Sequence, residues 1–273
     1  MPDLTTLSYD ALYCLLKGEP GLRKSTCALS FPKPQYWFSW DMKMKALGIP
    51  MKAWGVDPSQ VKYDDYTDWN AGLAKLRQLQ VTCPFRTIVI DSITSAADAI
   101  NRQTLKIKGA TRDTSKQIAG IPVNSIEDFN AEESALKELV ALTKDINAFH
   151  KVNIVLIAHI IQKEMKSANG QTHMSRILLT AGKGIAQKIP AYCEEVYHFN
   201  IEGNVDTTKS GQYTLLTTHT GDDFARTALP LPEKIAFGSD PLYDKYLLPA
   251  IQKMQPTKQT GVVQNATSSV QQA

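Results

Sequence analysis

The sequence predicts an α/β fold with a mostly parallel central sheet covered by helices on both faces. Three observations carry this. Thr87 to Ile90 is a short, apolar, β-branched run, and Val152 to Ala158 reads as another buried strand; continuous apolar strands suit a parallel sheet covered on both sides. Helical patterns alternate with such strands, as crossover connections require. An earlier strand, Leu12 to Lys17, runs straight into a turn containing Gly18, Pro20 and Gly21 and then into a helix.

Each element has a local reason. The first helix runs from about Ser25 to Phe31 and is stopped by Pro32 and Pro34. Gln35 to Trp40 is aromatic and reads as a second strand. Gly48, Pro50, Gly55 and Pro58 mark a linking region. Asp68 caps a helix with Leu73, Leu76 and Leu79 at helical spacing. Residues 101–128 and 162–188 are polar, basic and Gly-containing, and read as two long excursions. Between them Asn130 and Glu133 resemble a capping box, followed by Leu136, Leu139, Val140, Thr143 and Ile146 on one helical face. Glu195 to Ile201 and Tyr213 to Thr218 read as late strands joined through the turn-rich stretch 203–211. Residues 1–254 are expected to form one domain. Residues 255–273 carry a single charge, Lys258, and read as a disordered tail.

Composition excludes several classes. The 273 residues are 43% hydrophobic and 21% charged, which is ordinary for a globular chain and long enough to bury a core without staples. No apolar run approaches the roughly 18 residues that span a bilayer, and the start, Met1-Pro2-Asp3-Leu4, lacks the basic and apolar regions of a signal peptide. Cys14, Cys27, Cys83 and Cys193 are far apart with no C-x-x-C pair, which excludes zinc-ribbon spacing and points to a reducing, intracellular setting. The net charge of +3 is unevenly spread. Residues 101–120 set Arg102, Lys106, Lys108, Arg112 and Lys116 against Asp113; residues 162–188 set Lys163, Lys166, Arg176, Lys183 and Lys188 against Glu164. Taken alone, such windows read as solvated loops.

Gly18-Glu19-Pro20-Gly21-Leu22-Arg23-Lys24-Ser25-Thr26 fits the phosphate-binding pattern G-x-x-x-x-G-K-[ST] at all but one defined position. Glycines let successive backbone N–H groups turn inward around phosphate oxygens, and the following helix N-terminus adds partial positive charge. Lys24 can reach the β- and γ-phosphates of ATP, and the Ser25 hydroxyl can ligate Mg²⁺. Arg23 stands where the pattern has Gly. A positive φ there is costly for Arg; a first helical position is not, and would let the guanidinium add to phosphate binding. Arg86-Thr87-Ile88-Val89-Ile90-Asp91-Ser92 is a Walker B-type strand whose Asp91 carboxylate is placed for Mg²⁺, an acid after a strand being otherwise often a helix cap. His159, at the tip of the 152–158 strand, is either a γ-phosphate sensor or a histidine satisfied by a backbone carbonyl. Asp41, directly after the second strand, is the first choice for the group that positions water; Glu132 and Glu133 are explained more simply by the helix dipole.

The loop at 18–26, the acid after the second strand, the strand 87–92 and the Leu156-Ile157-Ala158-His159 strand end together resemble RecA-like P-loop ATPases. More closely, they resemble the small, single-core phage ATPases of that class linked to recombination and single-strand annealing. The likeness extends to Tyr66-Thr67-Asp68-Trp69, to Leu178-Leu179-Thr180-Ala181-Gly182-Lys183 and to Ile189-Pro190-Ala191-Tyr192, and covers roughly residues 10–250. Asp41 stands where these relatives usually carry Glu. The resemblance implies a RecA-like core, catalytic roles for Lys24, Asp41 and His159, and a magnesium site at Ser25 and Asp91. It further implies a ring or filament in the cytoplasm of an infected bacterial host, beside phage or host single-strand-binding or replication proteins. Single-stranded DNA would then meet Lys106, Lys108, Arg112, Lys183 and Lys188 through its phosphates, with strong salt dependence. Lys183 and Lys188 have a second possible role, reaching a neighbouring subunit's ATP. Two other classes use the same loop: a small-molecule kinase with 101–118 as its lid, and a switch or packaging NTPase with a protein partner.

Overall fold

The structure is a computed structural model that describes residues 9, 11–110, 117–118, 121–122, 126–166, 172–180, 183–203, 211–220 and 223–255. In chain order the elements are β1 (Tyr13–Lys17), α1 (Lys24–Leu29), β2 (Gln35–Ser39), α2 (Gly48–Ala53), β3 (Val61–Asp65), α3 (Trp69–Val81), β4 (Thr87–Asp91) and α4 (Ile93–Ala110). There follow β5 (Gln117–Ile118), β6 (Ile121–Pro122), α5 (Ile126–His150), β7 (Asn153–Ala158), β8 (Ile160–Lys166), β9 (Thr172–Leu178), α6 (Lys183–Tyr192), β10 (Glu195–Glu202), β11 (Gln212–Leu216), β12 (Lys234–Ala236) and α7 (Leu248–Met254).

Eight strands form the central sheet in the order β12-β11-β10-β1-β7-β4-β2-β3. The six from β10 to β3 are parallel, and β11 and β12 extend one edge antiparallel. Successive side chains serve opposite cores. Leu15, Ile88, Ile90, Ile154 and Leu156 pack with α3 to α6, while Leu16, Val89, Val155 and Ile157 pack with α1 and α7. Both faces are therefore dry, which is why these strands carry apolar residues at successive interior positions. The chain leaves β1 and crosses two strand positions to reach β2. The ends of β1, β7, β4 and β2 thus form one row along the carboxyl edge, where ligands of open α/β sheets bind.

Several elements depart from expectation. The linking region holds α2 and the edge strand β3, whose side chains are mostly exposed and so lack a hydrophobic signal. The excursion at 101–128 is in its first half the continuation of α4 through Ala110. The excursion at 162–188 is the hairpin β8–β9 followed by α6. α5 begins at Ile126, so Asn130 and Glu133 lie inside it and form no capping box. β12 and α7 were not anticipated. Asp68 does cap α3, accepting a hydrogen bond from Ala71 N at 3.0 Å. The tail from residue 256 lies outside the described residues.

Asn153, buried at the start of β7, staples three strands. Its Oδ1 accepts from Leu12 N at 2.9 Å and its Nδ2 donates to Arg86 O at 3.0 Å, across the segments that lead into β1 and β4. Asn153→Leu, which keeps the volume, strands the Leu12 amide and should destabilise the fold by about 1–3 kcal/mol, read as a lower urea midpoint with unchanged slope.

Candidate nucleotide site

The loop after β1 is shaped by close approach. A Cβ on Gly18 would lie 2.7 Å from the Phe199 carbonyl oxygen on β10, and Gly21 adopts a φ of 84°; both positions favour glycine. Leu22 is buried in the α1-side core and pins the loop from below. The first turn of α1 forms as Cys27 N donates to Arg23 O at 2.9 Å. Lys24, only 4% exposed, donates to the carbonyls of Gly18 at 2.9 Å and Glu19 at 2.7 Å. Burial pulls its pKa down to about 8, against the opposing pull of Asp91, Asp41 and Glu19.

The predicted residues converge on one cavity of about 320 Å³ lined by residues 20–26, Asp41, Asp91 and His159. Ser25 Oγ donates to Asp91 Oδ2 at 2.7 Å. Burial pushes the Asp91 carboxyl up to about 6, Asp41 adding to the rise while Ser25, His159 and Lys24 oppose it. A hydroxyl and a desolvated carboxylate side by side offer two hard oxygens at a place short of positive charge. Mg²⁺ is usually held by one or two carboxylates plus phosphate oxygens, not by an all-protein cage. The donor set fits.

Asp41 is fixed by backbone and side chain alike. Its N–H and that of Trp40 both donate to Asp91 O, at 3.2 and 2.7 Å. Its Oδ1 accepts from Ser92 Oγ at 3.0 Å and from Ser95 Oγ. Its Oδ2 lies 3.5 Å from His159 Nε2 and 3.9 Å from Lys43 Nζ. Burial alone would raise this carboxyl's pKa, but the hydrogen bonds from His159, Ser95 and Ser92 outweigh it and hold the group ionised well below the usual range. His159 completes a relay. Lys24 Nζ lies 3.4 Å from Nδ1, so Nδ1 accepts and Nε2–H faces Asp41. Its backbone N–H donates to Thr94 Oγ1 at 3.0 Å, and its carbonyl accepts from Leu179 N at 2.8 Å, at the base of the β8–β9 hairpin.

Sequence reasoning missed Ser92, Thr94 and Ser95. The signal was present as a polar run in the first turn of α4: Ser92 Oγ caps Ser95 N at 3.2 Å while holding Asp41. Arg23 follows the first of the two alternatives, the positive φ, and its side chain does not add to the phosphate site. It takes the left-handed conformation, φ 62° and ψ 22°, and its guanidinium turns away from the cavity toward Tyr213 and Gly238. Of the residues assigned to DNA, Lys106 is exposed on α4, Lys183 opens α6, and Lys188 on α6 pairs with Glu133 at 2.9 Å. Arg112 lies outside the described residues, as do the side chains of Lys108 and Lys183.

The arrangement separates binding from metal chemistry. Asp91→Asn should weaken Mg²⁺-dependent turnover more than Mg²⁺-free nucleotide affinity, because loop amides and Lys24 hold phosphates without it. Equal losses in fluorescent-nucleotide titrations with and without Mg²⁺ would make Asp91 a structural cap.

No curated protein matches the sequence. Among solved structures, a KaiC-like protein from the hyperthermophilic archaeon Pyrococcus horikoshii aligns over 83% of this chain and 89% of its own, with 12% identity and a TM-score of 0.44. A protein family described as an AAA domain matches residues 10–229, a span that holds every strand from β1 to β11 and the whole cavity lining. With its mostly parallel sheet and its phosphate loop between β1 and α1, the fold is an α/β P-loop fold, and the chain belongs to this AAA domain family of P-loop ATPases.

Proposed function

We propose that the protein binds and hydrolyses ATP with Mg²⁺ and couples turnover to single-stranded DNA, in phage recombination, annealing or replication. The observation that carries this reading is the position of His159. Its ring bridges Lys24 and Asp41 in the phosphate cavity, while its carbonyl holds the foot of a hairpin from the second basic window.

The chain's own groups divide the work. Backbone N–H groups of residues 21–25 and the Lys24 ammonium bind the phosphates. Bound Mg²⁺ would be held by Ser25 Oγ and Asp91 and would neutralise charge on the phosphate oxygens. Asp41, kept ionised, orients the attacking water and accepts its proton. His159 positions Asp41 and senses any shift of Lys24. A displacement of the His159 backbone is passed to Leu179 through one hydrogen bond and to Ile160 through the chain. The hairpin carries Lys163, Lys166 and Arg176, of which Arg176 is tied to Asp223 at 2.6 Å. Lys106, exposed on α4, suits a sequence-independent phosphate track. Among the described residues no helix is long and apolar enough to cross a membrane.

Turnover measured with and without single-stranded DNA tests the whole reading. Strong stimulation is expected; phosphate transfer to a metabolite would support the kinase class, and turnover indifferent to DNA would support the switch class. Lys24→Ala should abolish turnover in a folded protein. Asp41→Asn should lower kcat by about a hundredfold or more with little change in ATP affinity. Charge reversal at Lys106 with Lys108, or at Lys183 with Lys188, should weaken DNA binding. It should also flatten the salt dependence by about 0.7 log units per lost phosphate contact. Unchanged affinity and slope in both double variants would leave these lysines as solvated surface.

A further inference from the structure

Arg23 sits in a conformation that costs an L-residue about a fivefold to thirtyfold penalty relative to its ordinary range. Two contacts hold its side chain there, and neither belongs to the cavity. The guanidinium carbon lies 4.2 Å from the centroid of the Tyr213 ring on β11, and Nη1 donates to Gly238 O at 2.8 Å, just beyond β12. That pair of anchors is itself joined. Phe237 N donates to Tyr213 O at 3.0 Å, and the two rings lie 6.0 Å apart. The next carbonyl, Ser239 O, accepts from Trp54 Nε1 at 2.9 Å, which fixes the segment from its other side. Arg23 in turn precedes Lys24, and its carbonyl starts α1. Rotation of its backbone would swing the last loop amides and the Lys24 ammonium together.

We propose that Arg23, Tyr213 and the Gly238 carbonyl form a latch that fastens the phosphate loop to the antiparallel edge of the sheet. The latch offsets the left-handed backbone and holds the loop ready for phosphate. Arg23 is a positioning residue that acts through the loop geometry, replacing glycine's conformational freedom with an external anchor. A cation–π contact at an exposed site is worth about twofold to fivefold, and the charge-assisted hydrogen bond adds to it. Together they match the backbone penalty in size. The consequence for nucleotide rests on the reading of residues 18–26 as a nucleotide-binding loop; the latch itself does not.

The test is a double-variant cycle read in two ways: amide exchange of the peptide covering residues 18–26 in the free protein, and affinity for a fluorescent ATP analogue. Tyr213→Leu should speed exchange in that peptide and weaken the analogue by about threefold to fivefold. Tyr213→Phe, which keeps the ring face, should restore both. In the Arg23→Gly background, Tyr213→Leu should have no further effect on either, because glycine needs no anchor in this conformation. Wild-type exchange in Tyr213→Leu, or an equal Tyr213→Leu effect in both backgrounds, overturns the latch. If the wild-type protein binds the analogue no better than Lys24→Ala, the nucleotide reading fails, while the exchange cycle still decides the latch.

Discussion

An ammonium and two carboxylates share one nearly dry corner of this protein, and much of the carboxyl edge is arranged to make that tolerable. Desolvating a charge is expensive unless partners and hydrogen bonds return the loss. Lys24 meets its share with two loop carbonyls and His159. Asp41 meets it with two serine hydroxyls and the same histidine. Asp91 has one hydroxyl, and burial, with the nearby Asp41 charge, raises its pKa against that bond. The two carboxylates have been driven apart in proton affinity, Asp41 held down by three hydrogen bonds that outweigh its burial and Asp91 raised by burial that its one hydroxyl does not offset. Asp91 is the one still in want of positive charge, which is what a phosphate-bound cation brings.

Packing makes this arrangement possible. Four neighbouring parallel strands, each continuously apolar in its interior, end in register at the same edge. Ser39 is level with Asp91, Asp91 with Ile157, and Ala158 with Lys17. Polar residues one or two positions past those ends therefore converge with little help from loops. The Asp41 amide on the Asp91 carbonyl is one such convergence, and the Ala158 carbonyl accepting from Gly18 N at 3.3 Å is another. Strand spacing alone brings the row of ends within side-chain reach.

What was legible in the sequence follows from the same geometry. Buried strands announce themselves by unbroken apolar runs, and a phosphate loop by its glycines, so β1, β4, β7 and Gly18 to Thr26 were readable. β3 was not, because an edge strand with exposed Lys62, Tyr63, Asp64 and Asp65 presents no hydrophobic alternation. The hairpin β8–β9 reads as an excursion in the sequence because its polar residues hide a pairing that backbone hydrogen bonds supply. The supports of Asp41 were invisible for a different reason: Ser92 and Ser95 read as ordinary residues of a helix start, and only the third dimension turns them toward an acid fifty residues away. Arg23 could be recognised as a departure, yet its remedy lay at Tyr213 and Gly238, far along the chain.

Asp41 also constrains the kind of hydrolysis the proposed site can perform. A general base works best when its proton affinity lies near the working pH, and a carboxylate that accepts from Ser92, Ser95 and His159 is pulled in the opposite direction. It is a weak base held in a fixed place. Phosphoryl transfer tolerates this, because its loose transition state builds charge on the phosphate oxygens before the attacking water must surrender a proton. The water's position is then worth more than the strength of the base that aligns it. Asp is one methylene shorter than the Glu usual in the resembling ATPases, and here both of its oxygens are held while its amide is clamped to Asp91. The site trades reach and basicity for a carboxylate with very little freedom, and its His159 tether makes any movement that does occur coincide with movement at the foot of the hairpin.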